Sequence, residues 1–131
     1  MARWYSAALA LALFSGAATA GWTAVGKPNE IYSAFADRES VRRNGDAATM
    51  HGLYDFRRQD FTPAGRSLYS TVVLREYDCR GRRVRLVSSI DFSGAMGTGT
   101  PVDTSTDARR WEAVLPGALD DAFWRIACGA K

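Results

Sequence analysis

Ser67-Leu68-Tyr69-Ser70-Thr71-Val72-Val73-Leu74-Arg75-Glu76-Tyr77-Asp78-Cys79 is answered, after Arg80-Gly81-Arg82, by Arg83-Val84-Arg85-Leu86-Val87-Ser88-Ser89-Ile90-Asp91-Phe92. Both runs are rich in β-branched and aromatic residues, which suit a pleated, half-buried surface. The second alternates, so Val84, Leu86, Ile90 and Phe92 are expected toward a core, with Arg83, Arg85, Ser89 and Asp91 facing out. The first carries apolar residues on both faces, as a central strand or a bulged one does. Asp78 to Arg82 reads as the turn, with Gly81 free to take a positive φ. A β-hairpin at the centre of an antiparallel sheet is therefore the starting point.

Upstream, Trp22–Gly26, Glu30–Ala36, Ser40–Arg43 and Ala47–Arg57 are each strand-like, separated by Lys27-Pro28-Asn29, Asp37-Arg38 and Asn44-Gly45-Asp46. Such punctuation at short intervals is that of an all-β meander. Arg58–Arg66 and Ser93–Ala108 read as loops, and Arg109–Val114 as a last strand. Beyond Pro116-Gly117 the period changes. Leu119, Ala122, Phe123 and Ile126 recur at i, i+3, i+4 and i+7, giving one apolar stripe on a helix from Ala118 to Cys128. Asp120 and Asp121 in its first turn and Arg125 near its end complement the helix dipole, and Gly129 stops it. The expected fold is α+β and mostly β: about six antiparallel strands, curled as a half-barrel around one C-terminal helix, with Trp22, Trp111 and Trp124 as core or rim packing.

The first twenty residues belong to none of this. Arg3 is a short basic region, Ala7–Phe14 an apolar run, and Ala18-Thr19-Ala20 presents small residues where a signal peptidase reads them, so cleavage is expected before Gly21. The run is too short to span a bilayer, which takes about 20 apolar residues. Gly21 stands where a lipid-anchored protein carries Cys, so a periplasmic or secreted protein without a lipid anchor is expected. Residues 21–131 then form a single domain of 111 residues with net charge +2.

Cys79 and Cys128 are the two cysteines of the chain. In an exported protein they are expected to pair as one disulfide. A metal or redox pair would want a Cys-x-x-Cys spacing and further ligands, and His51 is the single histidine.

Charge and motifs narrow the function by exclusion. Lys+Arg 17 against Asp+Glu 14 is too small an excess to imply nucleic-acid binding. No Gly-x-Ser-x-Gly elbow is present, carboxylates are scattered, and no cofactor or metal is expected. Gly94–Gly99 lacks the Gly-Lys-Ser/Thr ending of a phosphate loop and reads as an ordinary mobile connection. Thr98, Gly99 and Thr100 make it polar and adaptable, a candidate binding loop. Arg75, Arg80, Arg82, Arg83 and Arg85 crowd the hairpin. Sharing an edge, they would form a patch for sulfated or phosphorylated polyanions. Alternatively they are a solvated face balanced by Glu76, Asp78 and Asp91.

Taken in order, Arg75-Glu76-Tyr77-Asp78-Cys79, Arg82-Arg83-Val84-Arg85, Met96-Gly97-Thr98-Gly99, Trp111–Gly117 and Trp124-Arg125-Ile126-Ala127-Cys128 resemble the surface-adhesin protein E-like domain family. The resemblance implies a bacterial exported domain with an antiparallel half-barrel, a C-terminal helix and a disulfide at Cys79 and Cys128. It also implies, for adhesive members, binding of extracellular-matrix proteins. The expected function is an exported, non-enzymatic, adhesin-like binding domain for a macromolecular or polyanionic partner of the envelope or its surroundings. A second reading is a carrier holding a small apolar ligand between sheet and helix, lined by Tyr54, Phe56, Phe92 and Phe123. A third, a hydrolase without a recognised signature, turns on His51.

Overall fold

The hairpin occupies the middle of the sheet in the computed structural model, which describes residues 21–129. Eight strands are present: β1 (Trp22–Val25), β2 (Tyr32–Asp37), β3 (Arg42–Asn44), β4 (Ala47–Phe61), β5 (Ser67–Asp78), β6 (Arg83–Phe92), β7 (Pro101–Ser105) and β8 (Glu112–Ala113). The main path runs β1-β2-β4-β5-β6-β7, antiparallel throughout, with β3 added to β4 and β8 to β6. It is an open sheet with one helix, α1 (Leu119–Cys128), at its end. The expected leader, residues 1–20, lies outside the described residues.

Two boundaries differ from expectation for the same reason: exposed polar strand residues look like loop. β4 runs on to Phe61, but Arg57 to Asp60 are all exposed and the register with β5 jumps between Asp55 and Asp60. β7 lies inside what reads as a long loop. It starts at Pro101, the position an edge strand tolerates because no partner needs the missing N–H. The last strand, expected over Arg109–Val114, shrinks to Glu112–Ala113.

The helix covers one face of the sheet. Phe123, Trp124 and Ala127 meet Ala34, Ala36, Ala48, Met50, Tyr77 and Val84 in one buried cluster. Gly52 makes the close approach possible, since a Cβ there would stand 3.3 Å from both Phe123 and Val73. The layer is filled by protein side chains: Met50, Tyr77 and Phe123 are each 1% exposed or less. That removes the space a carried apolar ligand needs. Of the aromatics expected to line such a space, Tyr54 and Phe123 pack on each other at 6.2 Å, while Phe92 belongs to the other face.

A bulge in β6 assigns the faces. Arg75 pairs with Leu86 but Leu74 pairs with Ser88, leaving Val87 unpaired. Each residue beyond it changes side. Val84 is buried and Leu86 half-buried beneath the helix, as alternation predicts, whereas Ile90 and Phe92 turn to the opposite face beside Val72 and Ser70. Ile90 is 37% exposed, not core. Asp91 rotates the other way and accepts a hydrogen bond from Thr71 at 2.7 Å.

The second face is covered by the segment Ser93–Thr100. Expected as a mobile connection, it is instead tied down. The Ser70 hydroxyl donates to Gly94 O (2.6 Å) and accepts from Gly97 N–H (2.8 Å), and Met96 N–H donates to Asp55 (2.7 Å). Gly97 lies against Val72 and Leu53, so this cover shields apolar residues that the central strands present away from the helix.

The hairpin turn also departs in detail. Arg82, not Gly81, takes the positive φ, at 50°. Gly81 is required for space: a Cβ there would lie 2.4 Å from the Asp78 carboxylate, which caps the turn by accepting from the N–H groups of Arg80 and Gly81.

Cys79 and Cys128 are joined, S–S 2.08 Å and Cα–Cα 5.4 Å, across a separation of 49 residues. Closing a loop of that size removes roughly 4 kcal/mol of chain entropy from the unfolded state. Replacing both cysteines by serine should lower the urea unfolding free energy by about that amount, and reduction of the native protein should match the double variant. A loss below about 1 kcal/mol would show that the bond contributes little beyond packing.

Candidate binding surface at the arginine hairpin

The five arginines of the candidate patch are divided between the two faces of the sheet. Arg75 and Arg82 lie toward the helix. Arg75 donates to the Tyr54 hydroxyl at 2.5 Å and stands 3.5 Å from Asp120, its guanidinium over the rings of Tyr54 and Phe123. Arg82 reaches Asp121 at 2.6 Å and stacks on Trp124 at 4.4 Å. Arg83 and Arg85 lie on the opposite face, where register sets them against Asp78 and Glu76. Their salt bridges are 2.8 and 2.5 Å long. Both guanidiniums also lie over Trp111, 5.1 and 4.6 Å from the ring. Arg80, at the turn, is fully out in solvent, 3.8 Å from Asp46.

Every member of the cluster thus has a carboxylate beside it. Glu76 and Asp78 do balance Arg85 and Arg83 across the strands, while Asp91, expected to share that role, is spent on Thr71. Exposed pairs of the Arg80–Asp46 kind contribute about 0–1 kcal/mol and open readily. Arg83 and Arg85 each turn Nε–H and an Nη–H onto one carboxylate oxygen and lie against an indole, which holds them more firmly.

Thr98, Gly99 and Thr100 are exposed, but they stand at the far end of β6 from the turn. Ten strand residues at ~3.4 Å each place them roughly 30 Å away. The Thr98 hydroxyl already donates to Ala95 O at 2.6 Å. The expected loop and the expected patch are therefore two separate places. His51 sits mid-β4, half-buried, opposite Leu74.

Asp121 is the site residue whose role composition hides. It is buried, accepts from Gly117 N–H at 3.0 Å just before the helix, and faces both Arg82 and Arg125. The Gly117 N–H, then the two guanidiniums, hold its pKa below the ordinary carboxylate range against the cost of burial. Asp78 is lowered likewise, by Gly81 N–H first and Arg83 next. Burial pushes the phenols of Tyr54 and Tyr77 upward, so both remain neutral beside Arg75 at physiological pH.

Residues 22–129 match the family described as surface-adhesin protein E. The chain belongs to that family. Its fold matches a structure of Haemophilus influenzae protein E with TM-score 0.68 at 13% identity, over 83% of this chain and 84% of that one. It matches a crystal structure of protein E from non-typeable Haemophilus influenzae with TM-score 0.63 at 13% identity, over 81% and 75%. No curated protein sequence matches it. At such identity the likeness is one of fold. The family assignment makes this an adhesin-like surface protein, and no helix among the described residues is long and apolar enough to cross a membrane.

The surface-adhesin domain also uses residues that sequence reasoning left aside. Trp111 was legible only as packing, yet it is the plate beneath two arginines. Arg43 donates to Gly45 O, to Cys128 O and to the Cys79 sulfur, bridging the β3–β4 turn and the helix end. An arginine beside Asn-Gly-Asp has no local pattern that foretells this.

Because its folded-state pKa is depressed, Asp121 stabilises the fold above the unfolded value of about 3.9, and that stability is lost as pH falls through the folded value. Asp121→Asn should therefore lower the melting temperature at pH 7 and flatten its decline below about pH 4. Parallel wild-type and variant melting curves across pH 2–7 would rule out this role.

Proposed function

We propose that this adhesin-like surface protein is an exported binding domain without catalytic activity, holding a macromolecular partner at the turn end of the β5–β6 hairpin. Trp111 carries the reading: it is partly exposed, lies at a sheet edge, and is stacked by Arg83 and Arg85. Trp and Arg are the residues most enriched among those that dominate binding energy at protein interfaces. Arg80, held only by a long surface pair, adds an adaptable cation at the rim. An acidic or sulfated partner can meet Arg80 at the rim and the exposed side of Arg83, while Asp78 and Glu76 keep their pairs. Export, with residues 1–20 as a cleaved leader and release into the periplasm or beyond, accords with a disulfide kept in an oxidising compartment.

Two immobilised probes test this: heparin as the polyanion, and a coat of extracellular-matrix protein. Trp111→Ala and the pair Arg80→Glu, Arg83→Glu should each weaken retention at least tenfold, with the fold verified by circular dichroism. Arg82 is left intact, since its pair with Asp121 belongs to the fold. Wild-type protein that fails to bind either probe, or variants that bind equally well, would overturn the assignment.

A further inference from the structure

β6 changes its edge partner along its length: β8 pairs with Arg83 and Val84, and β7 with Ser89 to Phe92. Between them the chain of residues 106–111 leaves the sheet and returns, fastened midway by Arg109 N–H to Leu86 O at 2.8 Å. The result is a notch of about 310 Å³ on the helix side of the edge. Its floor is Val84 and Leu86. Around that floor stand Arg75, Arg85, Arg109 and Arg110, opposed by Glu112 and Asp120. The four arginines are not equivalent. Arg85 is turned to Glu76, and Arg75 is held by Tyr54 with Asp120 more distant. Arg109 and Arg110 make no ion pair among the described residues.

We infer that this notch binds a tetrahedral oxyanion, a sulfate or phosphate monoester carried on a sugar-sized group, with Arg109 and Arg110 as its direct ligands. Two guanidiniums from consecutive residues offer forked donors to the oxygens of one such anion. Arg75 behind them, part-buried, adds a fixed positive field in a low-dielectric wall. With Arg85 turned to Glu76 and Arg75 facing Asp120, Arg109 and Arg110 leave one positive charge in excess over Glu112, which the bound anion offsets. The volume lies at the lower end of ligand pockets, roughly 300–1,000 Å³, and admits one sugar ring. The apolar floor suits the face of that ring. This site opens on the face opposite the Trp111 surface, with Arg85 the one residue common to both, and does not depend on the adhesin reading.

Glucosamine 6-sulfate and glucose 6-phosphate, titrated separately into the purified protein by isothermal calorimetry, distinguish the two sources of the anion. At least one should bind saturably, with affinity falling as sodium chloride is raised. The variant Arg109→Ala, Arg110→Ala should lose that binding at least tenfold; both side chains are exposed, so the fold should be kept. Arg80→Ala, which lies outside the notch, should bind as wild type. If neither ester binds, or if the double alanine variant binds as tightly as wild type, the inference fails. Glucosamine with equal affinity to its sulfate ester would overturn it too, since the anion would then be irrelevant.

Discussion

The fastening of α1 to the hairpin turn is the constraint from which the rest follows. A helix of ten residues has no independent stability in water, yet it must cover the apolar face of an open sheet. Three attachments hold it within a few residues of one another. The disulfide joins Cys128 to Cys79, Trp124 donates its indole N–H to Asp78 O at 2.8 Å, and Asp121 receives Arg82. Each uses a different chemistry, and all converge on the turn that Asp78 organises. Arg43 then binds the last helical carbonyl from the neighbouring turn, a cation where the helix dipole favours one. The covalent bond limits the search, and the polar contacts set the helix's rotation about it.

With the helix fixed on one side, the Val87 bulge decides what the far half of β6, Ser88 to Phe92, faces. Without it, Ile90 and Phe92 would crowd toward the helix face, and Val72 and Leu53 on the second face would lose their apolar neighbours on β6. One unpaired residue thus shares the apolar residues of β6 between a large core under α1 and a small one around Leu53 and Val72. The covering segment also explains why Ser70, a hydroxyl in a central strand, is fully buried. That hydroxyl is the anchor through which the covering segment is bonded to the sheet, donating once and accepting once, so burial leaves nothing unsatisfied.

The parts of the fold governed by period and covalent pairing were legible in the chain. Alternation around Val84 and Leu86, the stripe of Leu119, Ala122, Phe123 and Ile126, and the pairing of Cys79 with Cys128 all express rules that act over a few residues or between two. The resemblance in the order of motifs from Arg75 to Cys128 reached the family itself. What escaped was whatever depends on a neighbour distant in sequence. A bulge leaves no mark in a run such as Leu86-Val87-Ser88, because Val87 suits either face. The edge strand Pro101–Ser105 carries the polarity of a loop because its residues are largely exposed. The role of Asp121 needs Gly117 and Arg82 in place, and first-turn position alone suggests only dipole compensation.

The arginines show why a count of charge is a poor guide to where charge acts. Five cations within eleven residues look like a basic patch, but strand register puts Glu76 opposite Arg85 and Asp78 opposite Arg83, while the helix supplies Asp120 and Asp121 to the other two inward-facing ones. The hairpin is cationic in composition and nearly neutral in effect. Its capacity for contact lies in the Trp111 plate and the exposed donors of Arg80 and Arg83 rather than in net field. Arg109 and Arg110 are two residues that no sequence argument singles out. They form no ion pair among the described residues, lying between β8 and β7, where no strand register sets a carboxylate against them. An unpaired guanidinium costs little in solvent and retains its full capacity for an anion, so the gap in strand pairing is also the gap in charge pairing.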